Sequence, residues 1–233
     1  MKRLLLASTS TVYGGTYLSY LQEELTDFFT GIDEILFIPY ARPSGITHDE
    51  YTAIAQQGFE KIQKRVVGLH TFADPKAALA QAKAIFTGGG NTFLLVTRLY
   101  ELGLMPILRE VVAGGTPYMG TSAGSNIAGH TMQTTNDMPI IYPPSFHTLG
   151  AVPFNINPHY LDPDPHSKHK GETRETRIKE FHKFNDIPVI GLREGSWLRI
   201  TDDQIELKGN LTARVFLKDQ PPYETTDLSP VYP

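Results

Sequence analysis

Short apolar runs and longer amphipathic stretches alternate through the first half of the chain. Leu4–Ala7, Ile35–Pro39, Val66–Leu69, Ala84–Thr87 and Pro117–Gly120 are each too brief for a helix and predict buried strands. Between them, Tyr17–Phe29, His48–Lys64 and Asn91–Tyr100 carry apolar residues near the helical period. Asp74-Pro75 supplies an N-cap and a first-turn proline for a short helix through Ala82. Alternation of this kind predicts an α/β fold: a mostly parallel sheet with helices on both faces.

The second half has a different texture. Residues 138–170 are rich in Pro, Asn, Asp and His and read as long functional loops. A helix from Thr173 to Phe184 follows, then Val189–Leu192 as the last parallel strand. Trp197–Thr201, Gln204–Lys208 and Ala213–Leu217 predict a C-terminal antiparallel hairpin region, with turns at Asp202-Asp203 and Gly209-Asn210. The Pro-rich tail after Asp219 is expected to lie over the surface. Neither a repeat nor a break in composition divides the chain, so one domain over 1–233 is expected.

Composition narrows the chemistry. Lys+Arg at 21 against Asp+Glu at 25 leaves a net charge of −4 and no basic excess to neutralise a phosphate backbone, so nucleic acid is not an expected partner. The complete lack of cysteine removes disulfides, thiolate metal sites, iron–sulfur clusters and a cysteine nucleophile. Met1-Lys2-Arg3 with Leu4–Ala7 resembles a secretory signal only briefly, because Ser8-Thr9-Ser10-Thr11 ends the apolar run well short of the roughly 7–15 residues required. No run approaches the roughly 18 apolar residues of a spanning helix, and a cytoplasmic protein without membrane partners is expected.

The sharpest chemical signal is Gly120-Thr121-Ser122-Ala123-Gly124, a G-x-S-x-G pentad between a predicted strand and a predicted helix. That setting suits a nucleophile elbow, where small neighbours permit a strained turn that lifts the serine hydroxyl above the sheet edge. Gly88-Gly89-Gly90-Asn91 likewise follows a strand and opens a helix, one βα unit earlier. Its spacing matches neither a dinucleotide fingerprint nor a Walker loop. Adjacent parallel strands end at one edge, so the Gly90 and Ala123 amides are candidates for an oxyanion hole.

A serine nucleophile needs a base. Of eight histidines, His159 stands out in Asn155-Ile156-Asn157-Pro158-His159-Tyr160, a proline-stiffened segment downstream of Ser122. A third group must orient the imidazole. Asp137 and Glu194 are both candidates, the latter because it follows a predicted strand. His159, His166 and His169, with Asp162 and Asp164, offer a rival metal reading, but their spacing matches no metal motif. Lys170 and Arg174 flank a helix start whose dipole opposes their charge, so helix stability does not explain them. An inward guanidinium at Arg174 suits a carboxylate receptor, the bland alternative being a pair with Glu172.

Together these segments resemble the peptidase E family of α-aspartyl dipeptidases. The resemblance runs nearly end to end, through Phe37-Ile38-Pro39, Asp49-Glu50-Tyr51-Thr52, Gly88–Phe93, Ser122-Ala123-Gly124, Thr135–Ile140, Ile156–His159, Lys170–Arg174 and Gly191–Trp197. It implies a flavodoxin-like three-layer core similar to class I glutamine amidotransferases and a metal-free serine mechanism with no cofactor. The implied activity is cleavage of dipeptides that begin with aspartate. By the same resemblance Ser122 is the nucleophile and His159 the base. Asp137 is the expected third member by motif match, with Glu194 its rival. Gly90 and Ala123 form the oxyanion hole, and Arg174, with Asn91 and Lys170, binds substrate. Thr121, Ser125 and Arg193 depart from the family pattern. A small peptide is the expected partner, acting on a monomer or small homo-oligomer. A β-aspartyl (cyanophycinase-like) hydrolase and a non-enzymatic carboxylate-binding protein are the alternatives.

Overall fold

The five apolar runs of the first half lie side by side in a computed structural model that describes residues 1–164, 166 and 171–232. They form β1 (Arg3–Ala7), β2 (Glu34–Ile38), β3 (Arg65–Gly68), β4 (Ile85–Thr87) and β5 (Tyr118–Thr121). The second half contributes β6 (Asn155–Pro158), β7 (Val189–Leu192), β8 (Trp197–Thr201), β9 (Gln204–Lys208), β10 (Ala213–Phe216) and β11 (Tyr223–Thr225). The helices are α1 (Gln22–Phe28), α2 (His48–Glu60), α3 (Pro75–Ala80), α4 (Thr92–Glu101), α5 (Met105–Ala113), α6 (Ala123–Asn126) and α7 (Arg174–Phe181).

A seven-stranded sheet runs β3-β2-β4-β5-β1-β8-β9, parallel from β3 to β1 and antiparallel across β1, β8 and β9. Side chains alternate faces along each strand. Leu4 and Leu6 of β1 enter a cluster with Leu79 of α3, Leu95 and Leu99 of α4 and Leu108 of α5. Leu5 and Ala7 enter the opposite cluster, with Leu25 and Phe28 of α1 and Ala55 and Phe59 of α2. Burial on both faces is why these strands read as continuous apolar runs. The three layers match expectation. The strand order differs from the 2-1-3-4-5 of flavodoxin, since β1 lies between β5 and β8.

Local signals explain the helix starts. Thr47 and Glu50 form a reciprocal capping box at α2, Asp74 accepts from the Lys76 and Ala77 amides before Pro75 of α3, and Asn91 Oδ1 accepts from Leu94 N at 3.0 Å. Helix α5 was not among the expected elements, although Met105, Leu108 and Val112 recur at helical spacing and are buried.

Three expectations for the second half are corrected. Val189–Leu192 does not extend the main parallel sheet; it belongs to a separate four-stranded sheet, β11-β10-β7-β6. Its parallel partner, β6, falls within 138–170, read as loop throughout. Period-two burial of Val152, Phe154 and Ile156 was the strand signal there, obscured by Asn155 and Asn157. Those asparagines are buried and bonded: Asn155 pairs with Thr131 through both amide atoms, and Asn157 Nδ2 donates to Thr134 O and Asn136 Oδ1, leaving only Asn157 Oδ1 without a partner of the two side chains. Nor does the tail simply lie over the surface. It pairs as β11 with β10 and buries Leu228, Val231 and Tyr232 in the cluster that also holds Ile156 and Ile190, because three large apolar groups outweigh the local proline signal.

Candidate active site

Ser122 sits at the sharp junction of β5 and α6 with φ 54° and ψ −111°. A serine rarely adopts this region, and strain of about 1–3 kcal/mol is typical of functional turns held by their surroundings. The flanking glycines make the turn possible. A Cβ at Gly120 would lie 2.4 Å from the Gly124 carbonyl, and one at Gly124 would lie 2.2 Å from Thr87 O. Ser122 N donates to Ala7 O at 3.1 Å and Asn126 N to Ser122 O at 2.8 Å, which pins the backbone while the hydroxyl caps nothing. Gly124→Ala should therefore cost about 3 kcal/mol or more, since β4 must shift to admit the methyl. A melting temperature within error of the parent would show that the turn relaxes freely.

Strands β6 and β7 end level, with Pro158 opposite Leu192. The residue after β6 is His159, and Glu194 follows β7 by two positions. His159 Nε2 lies 2.8 Å from Ser122 Oγ and its Nδ1 lies 2.5 Å from Glu194 Oε1. A carboxylate only accepts, so Nδ1 carries the proton toward Glu194. Neutral imidazole then offers the lone pair of Nε2 to the serine hydroxyl.

Asp137, the expected third member, is elsewhere. Its Oδ2 accepts from Thr92 N and Thr92 Oγ1, each at 2.7 Å, and from Thr135 Oγ1 at 3.0 Å. It answers an orphan amide at the start of α4 and fastens the 135–138 segment there, helped by Asn91 Nδ2 donating to Met138 O at 2.9 Å. The motif marked a real structural position, but the imidazole faces the other carboxylate.

The glycine loop after β4 presses against the serine. A Cβ at Gly89 would lie 3.6 Å from Ser122 Oγ, and one at Gly90 (φ 142°) would lie 2.3 Å from Ala41 O. Tyr51, which the resemblance includes in Asp49-Glu50-Tyr51-Thr52 but without a role, donates from its hydroxyl to Gly89 O at 2.9 Å and backs this loop. Thr87 and Gly120 are paired in register, so the loops carrying Gly90 and Ala123 start level. Among the described residues neither amide donates to a backbone acceptor.

Arg174 opens α7, whose Thr173 cap accepts from Thr176 N. Its Nε is buried without a hydrogen-bond partner, and among the described residues no carboxylate comes within 4.0 Å of its guanidinium. Glu172 lies 3.8 Å from Arg177 instead, so the bland pairing is not formed. Burial, then the charge of Arg177, pulls the Arg174 guanidinium below the usual arginine value, while Asp137 and Glu194 oppose that shift.

The remaining expected residues divide. Asn91 has both side-chain polar atoms engaged, Oδ1 in the α4 cap and Nδ2 on Met138 O, with the second amide hydrogen left over. Lys170 lies outside the described residues. For the metal reading, His169 lies outside them too, Asp162 is held by Arg193, and Asp164 accepts from His166 N. Among the described residues no three metal-capable side chains converge. Ser125 packs beneath the elbow, its hydroxyl 2.6 Å from Ala7 O and 2.8 Å from Gly120 O. Thr121 is fully buried, and Arg193 clamps Asp162 and Glu224.

Comparison with known proteins adds a separate line. The family model described as Peptidase family S51 matches residues 4–208. A peptidase E from Streptomyces coelicolor is 51% identical over 221 residues, covering 95% of this chain and 90% of its own. A probable alpha-aspartyl dipeptidase from Drosophila melanogaster is 47% identical over 221 residues, covering 94% and 91%. The crystal structure of a putative peptidase E from Listeria monocytogenes superposes with a TM-score of 0.67 at 21% identity, covering 90% of this chain and 99% of that one. A peptidase from an acI-B1 actinobacterium gives 0.70 at 18%, covering 97% and 94%. At such identities the two structures speak to the fold alone.

Proposed function

This chain belongs to peptidase family S51, and from that premise we propose that it is a serine dipeptidase that cleaves dipeptides bearing an N-terminal aspartate. The observation that carries the reading is the unbroken chain from Glu194 through His159 to Ser122, at 2.5 and 2.8 Å. His159 Nε2 takes the Ser122 proton as Oγ attacks the carbonyl carbon of the aspartyl residue. The Gly90 and Ala123 amides hold the oxyanion, each such donor contributing about 3–4 kcal/mol. His159 then returns the proton to the leaving amine, and the peptide bond breaks to leave aspartyl bound to Oγ. Water, deprotonated by the same imidazole, releases aspartate and restores the hydroxyl. Glu194 keeps the ring in the required tautomer and offsets the imidazolium charge throughout.

Arg174 supplies specificity. A half-buried arginine whose Nε lacks a hydrogen-bond partner, with no carboxylate beside it among the described residues, is completed by the aspartyl side chain and left unpaired by alanine. Arg174→Met should lower kcat/KM for Asp-Leu by about a thousandfold while leaving residual Ala-Leu cleavage nearly unchanged. Equal losses on both peptides would make Arg174 structural.

The decisive assay is release of free aspartate from Asp-Leu by the purified, metal-free protein. A panel of α- and β-aspartyl peptides separates this activity from a β-aspartyl hydrolase. Fluorophosphonate labelling of Ser122 separates it from a carboxylate-binding protein, which lacks an activated hydroxyl. The reading assumes a cytoplasmic peptide pool; among the described residues no helix is long and apolar enough to cross a membrane.

A further inference from the structure

The three catalytic side chains proposed above come from two sheets. Ser122 ends β5 of the seven-stranded sheet, whereas His159 and Glu194 follow β6 and β7 of the four-stranded one. A 2.8 Å contact between Ser122 and His159 therefore depends on how the sheets are registered against each other. Productive geometry tolerates an error of only about 0.5 Å.

One buried side chain joins the end of β1 to both strands that carry His159 and Glu194. Ser8 follows β1 directly and is fully buried. Its hydroxyl accepts from His159 N at 2.8 Å and donates to Leu192 O at 2.7 Å. Its own amide donates to Ser196 O at 3.1 Å, and the preceding Ala7 O accepts from Ser122 N at 3.1 Å. So the end of β1 holds the nucleophile's backbone on one side. On the other it holds the base's backbone and the strand that carries Glu194.

His159 has φ 54°, and its amide takes no part in the ladder that β6 makes with β7: Tyr160 N, not His159 N, donates to Leu192 O, at 3.1 Å. Without the Ser8 hydroxyl that amide has no acceptor. An unpaired buried amide is costly enough that the peptide rotates or shifts to find one. The imidazole hangs from that peptide and would move with it.

We propose that Ser8 is a positioning residue for catalysis: its buried hydroxyl stitches the two sheets together and sets the imidazole of His159 against Ser122. The inference rests on the Ser122–His159–Glu194 reading above. Ser8→Ala should lower kcat for Asp-Leu by about a hundredfold, the effect of an ångström-scale misplacement, with little change in KM. The rate of fluorophosphonate labelling should fall by a similar factor. Ser8→Thr, which keeps the hydroxyl, should recover most of both.

Thr148→Val provides the comparison, since it also removes a buried hydroxyl bonded to a backbone carbonyl, Gly129 O at 2.7 Å, in a loop that carries none of these groups. It should cost similar stability and leave kcat in place. Retention of kcat in Ser8→Ala, or a loss matched by Thr148→Val at equal stability, would overturn the proposal. If Ser8→Thr does not fold, the alanine and valine variants decide alone. The proton resonance of His159 Nδ1 supplies a readout independent of peptide cleavage: it should shift or broaden in Ser8→Ala, and an unchanged line would count against the proposal. A parent protein that neither releases aspartate nor labels at Ser122 would instead sink the proposed function, and the resonance would still report on Ser8.

Discussion

Ser122→Ala is expected to lower kcat for Asp-Leu by about six orders of magnitude, the scale seen when the nucleophile of a triad is removed, with residual turnover coming from the oxyanion donors and binding alone. Fluorophosphonate labelling should vanish with it. The fold should survive, because the backbone bonds Ser122 N to Ala7 O and Asn126 N to Ser122 O do not involve the hydroxyl. Alanine meets the same φ of 54° as serine, so the strain at the elbow is not relieved and the melting temperature should barely move. Substantial aspartate release by a well-folded Ser122→Ala protein would remove the nucleophile assignment.

The second large effect separates two carboxylates. Glu194→Gln should cost about 10⁴ in kcat, because the amide can donate to Nδ1 and thereby favour the tautomer that points an N–H at Ser122. Its stability should change little, since nearly half of the Glu194 side chain is exposed. Asp137→Asn should show the opposite profile. Its carboxylate takes three hydrogen bonds at the start of α4, so loss of charge there should cost about 1–2 kcal/mol of stability. The loss in kcat should be far smaller than that of Glu194→Gln. Steady-state kinetics beside thermal melts for the two variants test this directly. The reverse ranking in kcat would return the orienting role to Asp137.

The elbow was legible because its causes are local: a strand, a serine between glycines and a helix within a few residues. The first five strands were legible because burial on both faces makes a continuous apolar run. His159 was legible as a candidate, but its strand β6 was not. Asn155, Asn157 and Pro158 look like loop chemistry until Thr131, Thr134 and Asn136 arrive to bond the two side-chain amides. Arg174 was marked by a cation at the wrong end of a helix dipole, and the structure leaves its guanidinium without a carboxylate partner among the described residues.

The choice between Asp137 and Glu194 shows the boundary. Asp137 stands 22 positions before His159 and Glu194 stands 35 after it, so neither separation announces a neighbour. What decides is that β6 pairs parallel with β7 and that Pro158 falls opposite Leu192. From the residues alone, then, came the layered α/β core, the tight serine turn and a short list of candidate partners for it, since these follow from short-range sterics and hydrophobic period. Which partner meets the imidazole, and that Ser8 ties the two sheets, depends on strand pairing between distant segments. That register is set by the packing of the whole molecule, which no local pattern encodes.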